Sequence, residues 1–133
     1  MQEMEVILSE GLRVDVRFGD FLVKTDQPVF AGGDGSAPEP YALFLASLAA
    51  CAGIYVKVFC QRRNIPEAGI RIRQQMHYDE ATRRLARVEI VVELPPEFPE
   101  KYRDAVARAA AQCAVKKTMD NPPEFQVTTR PRA

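Results

Sequence analysis

Residues 38–60 read PEPYALFLASLAACAGIYVKVFC. After Glu39 the run carries a single charge, Lys57, and it holds two of the chain's three cysteines, Cys51 and Cys60. Its apolar part is short for the roughly 20 residues of a membrane span. It is also rich in Ala and Gly, and segments with strand-like alternation flank it. These features predict a core helix over about residues 39–63, roughly 37 Å long at 1.5 Å per residue, and not a membrane segment. Ser36 is a candidate N-cap, the prolines suit a first turn, and Asn64-Ile65-Pro66 stops the helix. A helix apolar on all sides is a buried one. One sheet of a single copy covers only one side of it. Ala46, Ser47, Ala49, Ala50, Ala52 and Gly53 would let another backbone approach closely. The pattern points to a second subunit on the other side, with tight packing within one chain as the alternative.

Working outward, residues 3–8, 12–17 and 21–25 alternate as short strands, separated by Gly11 and by Phe18-Gly19-Asp20. They predict a meander of hairpins. Residues 26–40, DQPVFAGGDGSAPEP, form a loop rich in Gly, Pro and Asp. Gly32 and Gly33 supply backbone conformations closed to other residues. Beyond the helix, residues 70–78 and 85–94 alternate again and predict a long hairpin. Residues 99–119 carry Tyr102, Val106, Ala109, Ala110, Cys113 and Lys117 at helical spacing and predict a second helix. Residues 125–129 predict a closing strand. The order is three strands, helix, two strands, helix, strand: an α+β class with mostly antiparallel strands, in one domain over residues 1–133.

Charge excludes some functions. Eighteen Lys and Arg balance eighteen Asp and Glu, which gives no reason to expect nucleic acid or an anionic membrane as partner. The N-terminus has no basic segment leading into an apolar one, so it reads as a strand and not a signal peptide. The expected compartment is the reducing cytoplasm, where thiols are buried filler or reactive groups. Three cysteines and a single histidine, His77, offer no metal-ligand spacing. His77 falls on the polar face of its strand and reads as a surface residue.

The thiols carry the remaining chemistry. Cys51 and Cys60 are nine residues apart, which at about 100° per residue sets them on opposite faces of one helix. Cys51 and Cys113 lie on different predicted helices, each among small residues, and approach only if those helices pack. A disulfide between them needs Cα atoms within roughly 7 Å. All three read equally well as buried small hydrophobes, and Cys60, beside Phe59, stays in that class.

Two stretches together resemble the OsmC/Ohr family of osmotically induced and organic hydroperoxide resistance proteins. One is TDQPVFAGGDGSAPEPYALFLASLAAC, residues 25–51, and the other AQCAVKKTMDNPPEF, residues 111–125. The resemblance implies an OsmC-like fold, with antiparallel sheets wrapped around long central helices in an intertwined homodimer. It implies a peroxidase acting on organic hydroperoxides or hydrogen peroxide without metal, haem or flavin. By position Cys51 matches the peroxidatic thiol and Cys113 the resolving one. An external dithiol, often a lipoylated protein, would recycle them. In the family an arginine of the N-terminal hairpin stabilises the thiolate. Arg13, just after the hairpin's glycine, matches it better than Arg17. The family also carries a Glu nine or ten residues before the first cysteine, which pairs with that arginine. Ala42 and Tyr41 stand there instead, so the arginine must be placed another way or the site is less active. A non-catalytic dimer holding a small apolar ligand in the same pocket is the alternative that Ala42 favours. Phe44, Leu48 and Tyr55 are candidates to line such a pocket, and core packing explains each of them as well.

Overall fold

The computed structural model describes residues 2–132. The chain divides into two compact units, and the division falls inside the long helix, after Ser47.

In the first unit three short strands form an antiparallel meander: β1 (Glu5–Leu8), β2 (Val14–Phe18) and β3 (Phe21–Thr25). Their register pairs Glu5 with Arg17 and Val14 with Thr25 at the two ends of β2. The first two strands start two residues later than the alternation predicts. Leu12 and Arg13 belong to the turn, where Arg13 N donates to Glu10 O at 3.1 Å and Ser9 N to Arg13 O at 3.0 Å. The loop that follows contains a 3-10 turn, Val29–Ala31, closed by Gly32 at φ 94°. Gly32 needs its left-handed backbone. Gly33 is required for a different reason: a Cβ there would sit 2.0 Å from the carbonyl oxygen of Gln27. The loop delivers the chain to α1 (Pro40–Arg62).

The second unit holds the rest of α1, the hairpin β4 (Arg71–Tyr78) and β5 (Leu85–Glu93), and the helices α2 (Arg103–Ala110) and α3 (Ala114–Asp120). A 3-10 turn, Glu100–Tyr102, leads into α2. Asn64, at φ 54°, ends α1 in the left-handed region, and Ile65 N then donates back to Cys60 O at 2.9 Å. This is a helix stop of the kind small polar residues tolerate. Ala52, Val56, Phe59 and Cys60 make the buried stripe of α1, packed with Ile65, Phe98, Val106 and Ala110. Ile72, Ile90 and Val92 of the hairpin close over it. Burial of each large member contributes about 1.5–3 kcal/mol, so this stripe holds the helix in the core.

By length and composition alone α1 could cross a membrane; its buried stripe belongs instead to a protein core. The opposite face, with Ala46, Ala50 and Ile54, stays exposed.

Three expectations fail. The single helix over residues 99–119 is interrupted at residues 111–113, giving α2 and α3. Cys113 adopts an extended ψ of 123° and becomes the N-cap of α3. The expected strand at 125–129 is absent. Strand backbone needs a hydrogen-bonding edge, and here residues 121–132 are all exposed, Val127 at 95%. Ser36 does not cap α1: the helix begins four residues later, and its hydroxyl serves another group.

Candidate active site

Cys51 sits midway along α1, partly buried. The break between α2 and α3 decides its surroundings. A continuous helix would spend the N–H groups of residues 114–116 on carbonyls one turn back. Here the helix restarts, and those groups become the orphan donors of a new N-terminus. Sulfur takes up one of them: the N–H of Lys116 donates to Cys113 Sγ at 3.4 Å. The backbone of Val115 and Ala114 and the Cys113 side chain lie close enough to Cys51 to favour its thiolate.

The electrostatics follow. The Val115 N–H, then the Cys113 thiol and the Ala114 N–H, lower the pKa of Cys51, while burial opposes them. Hydrogen bonds to the charged form favour it, so Cys51 is a thiol inclined to ionise beside a second, buried thiol. That arrangement can open a peroxide bond and then close a disulfide. Cys60 is the contrast. It is fully buried in the core, and burial, reinforced by Glu67, pushes its thiol up.

A cavity of about 440 Å³ reaches Cys113. Leu48, Val88, Ile90, Ala110 and Met119 are among its walls. Of the three residues singled out as pocket candidates, Leu48 lines it.

Arg13 lies in the first unit, on the turn between β1 and β2. Its Nε donates to Ser36 Oγ at 3.1 Å and its Nη2 to Asp34 Oδ2 at 3.1 Å. Behind Ser36 lies Asp26, wholly buried. The Asp26 carboxylate accepts from Ser36 Oγ at 2.6 Å, Ser36 N at 3.0 Å and Gln27 N at 2.7 Å. These bonds, the Ser36 hydroxyl first, hold its pKa down at about 2. Arg17 instead pairs across the strands with Glu5 at 3.6 Å. His77 lies on the hairpin surface, 3.4 Å from Arg87 and 3.7 Å from Glu89. Among the described residues no group of three or more His, Cys, Asp or Glu could hold a metal ion.

Sequence reasoning found both cysteines but missed the N-terminus that serves them. The segment AAAQCAVKK contains no Gly or Pro, and its alanines favour an unbroken helix. It also missed Asp26 and Ser36. There a signal existed: Asp and Ser in a Gly/Pro-rich loop are the side chains that bond local backbone.

The family model described as OsmC-like protein matches residues 33–128. No curated protein matches the chain. Solved structures do. A Psychrobacter arcticus protein, named for osmotic stress induction and detoxification response, is 25% identical, with TM-score 0.73 over 89% of this chain and 88% of that one. An OsmC-like protein from Mycoplasma pneumoniae is 14% identical, with TM-score 0.59 over 92% and 89%. A Legionella pneumophila organic hydroperoxide resistance protein OsmC, also named a redox protein, is 16% identical, with TM-score 0.57 over 90% and 88%. The matched model spans well over half of the chain, both cysteines included, and the chain belongs to the OsmC-like family.

Proposed function

We propose that this protein is a cysteine-based peroxidase that reduces organic hydroperoxides or hydrogen peroxide. The observation that carries the reading is a Cys51 whose pKa is lowered by the backbone of Val115 and Ala114 at the start of α3 and by the Cys113 side chain beside it. The Cys51 thiolate attacks the distal peroxide oxygen. An S–O bond forms, the O–O bond breaks, and the alkoxide leaves as alcohol once it takes a proton. The sulfenic acid on Cys51 then condenses with the Cys113 thiol, forming the disulfide and releasing water. An external dithiol, free or carried on a lipoylated protein, returns both thiols by exchange and is itself oxidised to a disulfide. By the family resemblance, Arg13 is the residue assigned to stabilise the thiolate with its fixed positive charge. No metal or organic cofactor takes part.

The working form is a cytoplasmic homodimer built from one OsmC-like domain per chain. The exposed α1 face and the exposed Phe125 and Val127 support it, since single copies rarely leave such apolar surface open to water. One equivalent of cumene hydroperoxide added to the reduced protein tests the activity. The expected result is a rapid loss of two protons in mass, mapped to a bond between Cys51 and Cys113. Thiols that stay reduced for minutes would refute it.

The apolar cavity favours a second reading, a non-catalytic dimer that holds a small apolar ligand. Native mass spectrometry would then show a bound ligand in a protein that consumes no peroxide.

A further inference from the structure

The chain has Tyr41 and Ala42 where the resemblance implies a carboxylate for the arginine, yet Arg13 is not loose. Its Nε donates to Ser36 Oγ at 3.1 Å. That hydroxyl has already given its proton to Asp26 Oδ2, at 2.6 Å. Only lone pairs remain on the oxygen, so it can meet the guanidinium in one sense alone. Asp26 Oδ2 itself lies 3.9 Å from Arg13 Nε. The carboxylate cannot turn away: it is fully buried, and the backbone N–H groups of Gln27 and Ser36 hold it. The loop around it is equally confined, because Gly33 leaves no room between itself and the Gln27 carbonyl. Asp34 touches Nη2 from the solvent side, 65% exposed, where water screens the pair.

We propose that Ser36 and Asp26 are positioning residues for Arg13. The hydroxyl passes the pull of the buried carboxylate to the Nε edge and fixes the plane of the guanidinium, in place of the missing helix carboxylate. The assignment rests on the reading in which Arg13 serves the Cys51 thiolate. The residues themselves, Arg13, Asp26 and Ser36, all belong to one compact unit.

Ser36→Ala tests it without dismantling the loop, since the residue-36 N–H still reaches Asp26. Two readouts are needed. The first is the Arg13 Nε–H resonance. In the parent it exchanges slowly with water, and in Ser36→Ala it exchanges as fast as that of an exposed arginine. A parent signal already as fast as exposed arginines would overturn the proposal. The second is the pH profile of Cys51 alkylation. Ser36→Ala is expected to move the profile upward and slow labelling at neutral pH roughly fivefold, the worth of one hydrogen bond. Ser36→Thr restores it. In an Arg13→Met background Ser36→Ala adds nothing, because the two act as one unit. Equal slowing in both backgrounds would reduce Ser36 to a structural residue and overturn the proposal. An Arg13→Met profile identical to the parent's would instead overturn the role of Arg13 at the thiolate, and the positioning role with it.

Discussion

Ala114→Pro removes one donor from Cys51 and nothing else. Ala114 is the first residue of α3, the position where helices accept proline readily because its missing N–H is not needed for the ladder. Cys113 precedes it with ψ 123°, the extended conformation that a residue before proline requires. The fold should therefore persist, with its melting temperature unchanged or slightly raised. Chemically, Cys51 loses one of the N–H groups that stabilise its thiolate. Ala114 is the smallest of the causes that lower the pKa of Cys51; with a hydrogen bond to a charged acceptor worth about 1.5 kcal/mol as the upper bound, the thiolate fraction at neutral pH falls by up to about tenfold. At that bound the remaining thiolate is more basic and, with a Brønsted coefficient near 0.4–0.5, about threefold more nucleophilic. The net effect at neutral pH is labelling by iodoacetamide slower by roughly three- to fourfold. At high pH, where every Cys51 is ionised, the order reverses and the variant reacts about threefold faster. The assay is the alkylation rate of Cys51 against pH, read by peptide mass spectrometry. Curves that cross confirm the account. Curves that superimpose, in a variant with parental circular dichroism, would refute the claim that the α3 terminus tunes this thiol.

Other consequences are simpler. Asp26 has a carboxyl pKa of about 2 against an ordinary 3.8; a depressed carboxylate stabilises the fold above its ordinary value and loses that contribution as pH falls through the folded one. Urea unfolding of the parent should therefore weaken between those two values, and Asp26→Asn should lack that slope while being less stable at neutral pH. Gly33→Ala drives a methyl into the Gln27 carbonyl and should destabilise by about 2–3 kcal/mol in urea titration. A loss under 0.5 kcal/mol would mean the loop yields easily. Cys60, buried and with its pKa raised, should resist iodoacetamide in the native protein and react at the rate of a free thiol only in denaturant.

The long helix was legible because its signals are local: an apolar run of helical length, prolines at its start, and Asn-Ile-Pro at its end. The two hairpins were legible for the same reason, since side-chain alternation reports a half-buried strand wherever its partner lies. The misplaced elements depend on distant groups. Residues 125–129 have strand composition, but composition cannot supply an edge to pair with. The interruption before α3 is invisible in an alanine-rich segment, because no side chain there signals a helix stop. The site followed the same division. Cysteines, being rare, declare themselves. The N–H groups that activate one of them belong to no residue type, and no pattern of side chains encodes them. Ser36 illustrates the point within a single loop: a helix N-cap by sequence, it spends its hydroxyl on Asp26 because the folded loop brings a buried carboxylate within 2.6 Å.

The same N–H groups serve the fold and the chemistry, and this ties the two together. The donors of Ala114, Val115 and Lys116 lose their helical partners when α3 restarts; Cys113 Sγ takes up that of Lys116, and the other two favour the Cys51 thiolate. An acceptor at such a position is worth about 0.5–2 kcal/mol to a helix, and an anionic acceptor is worth more than a neutral one. Linkage makes the relation reciprocal: whatever lowers the pKa of Cys51 in the folded chain must make its thiolate the better cap for α3. Because the folded pKa is depressed, that extra stability is full above the ordinary thiol range and disappears as pH falls through the folded value. The first turn of α3 is therefore capped best when Cys51 is ionised. In this chain the reactive state of the thiol and the best-capped state of the helix are one state.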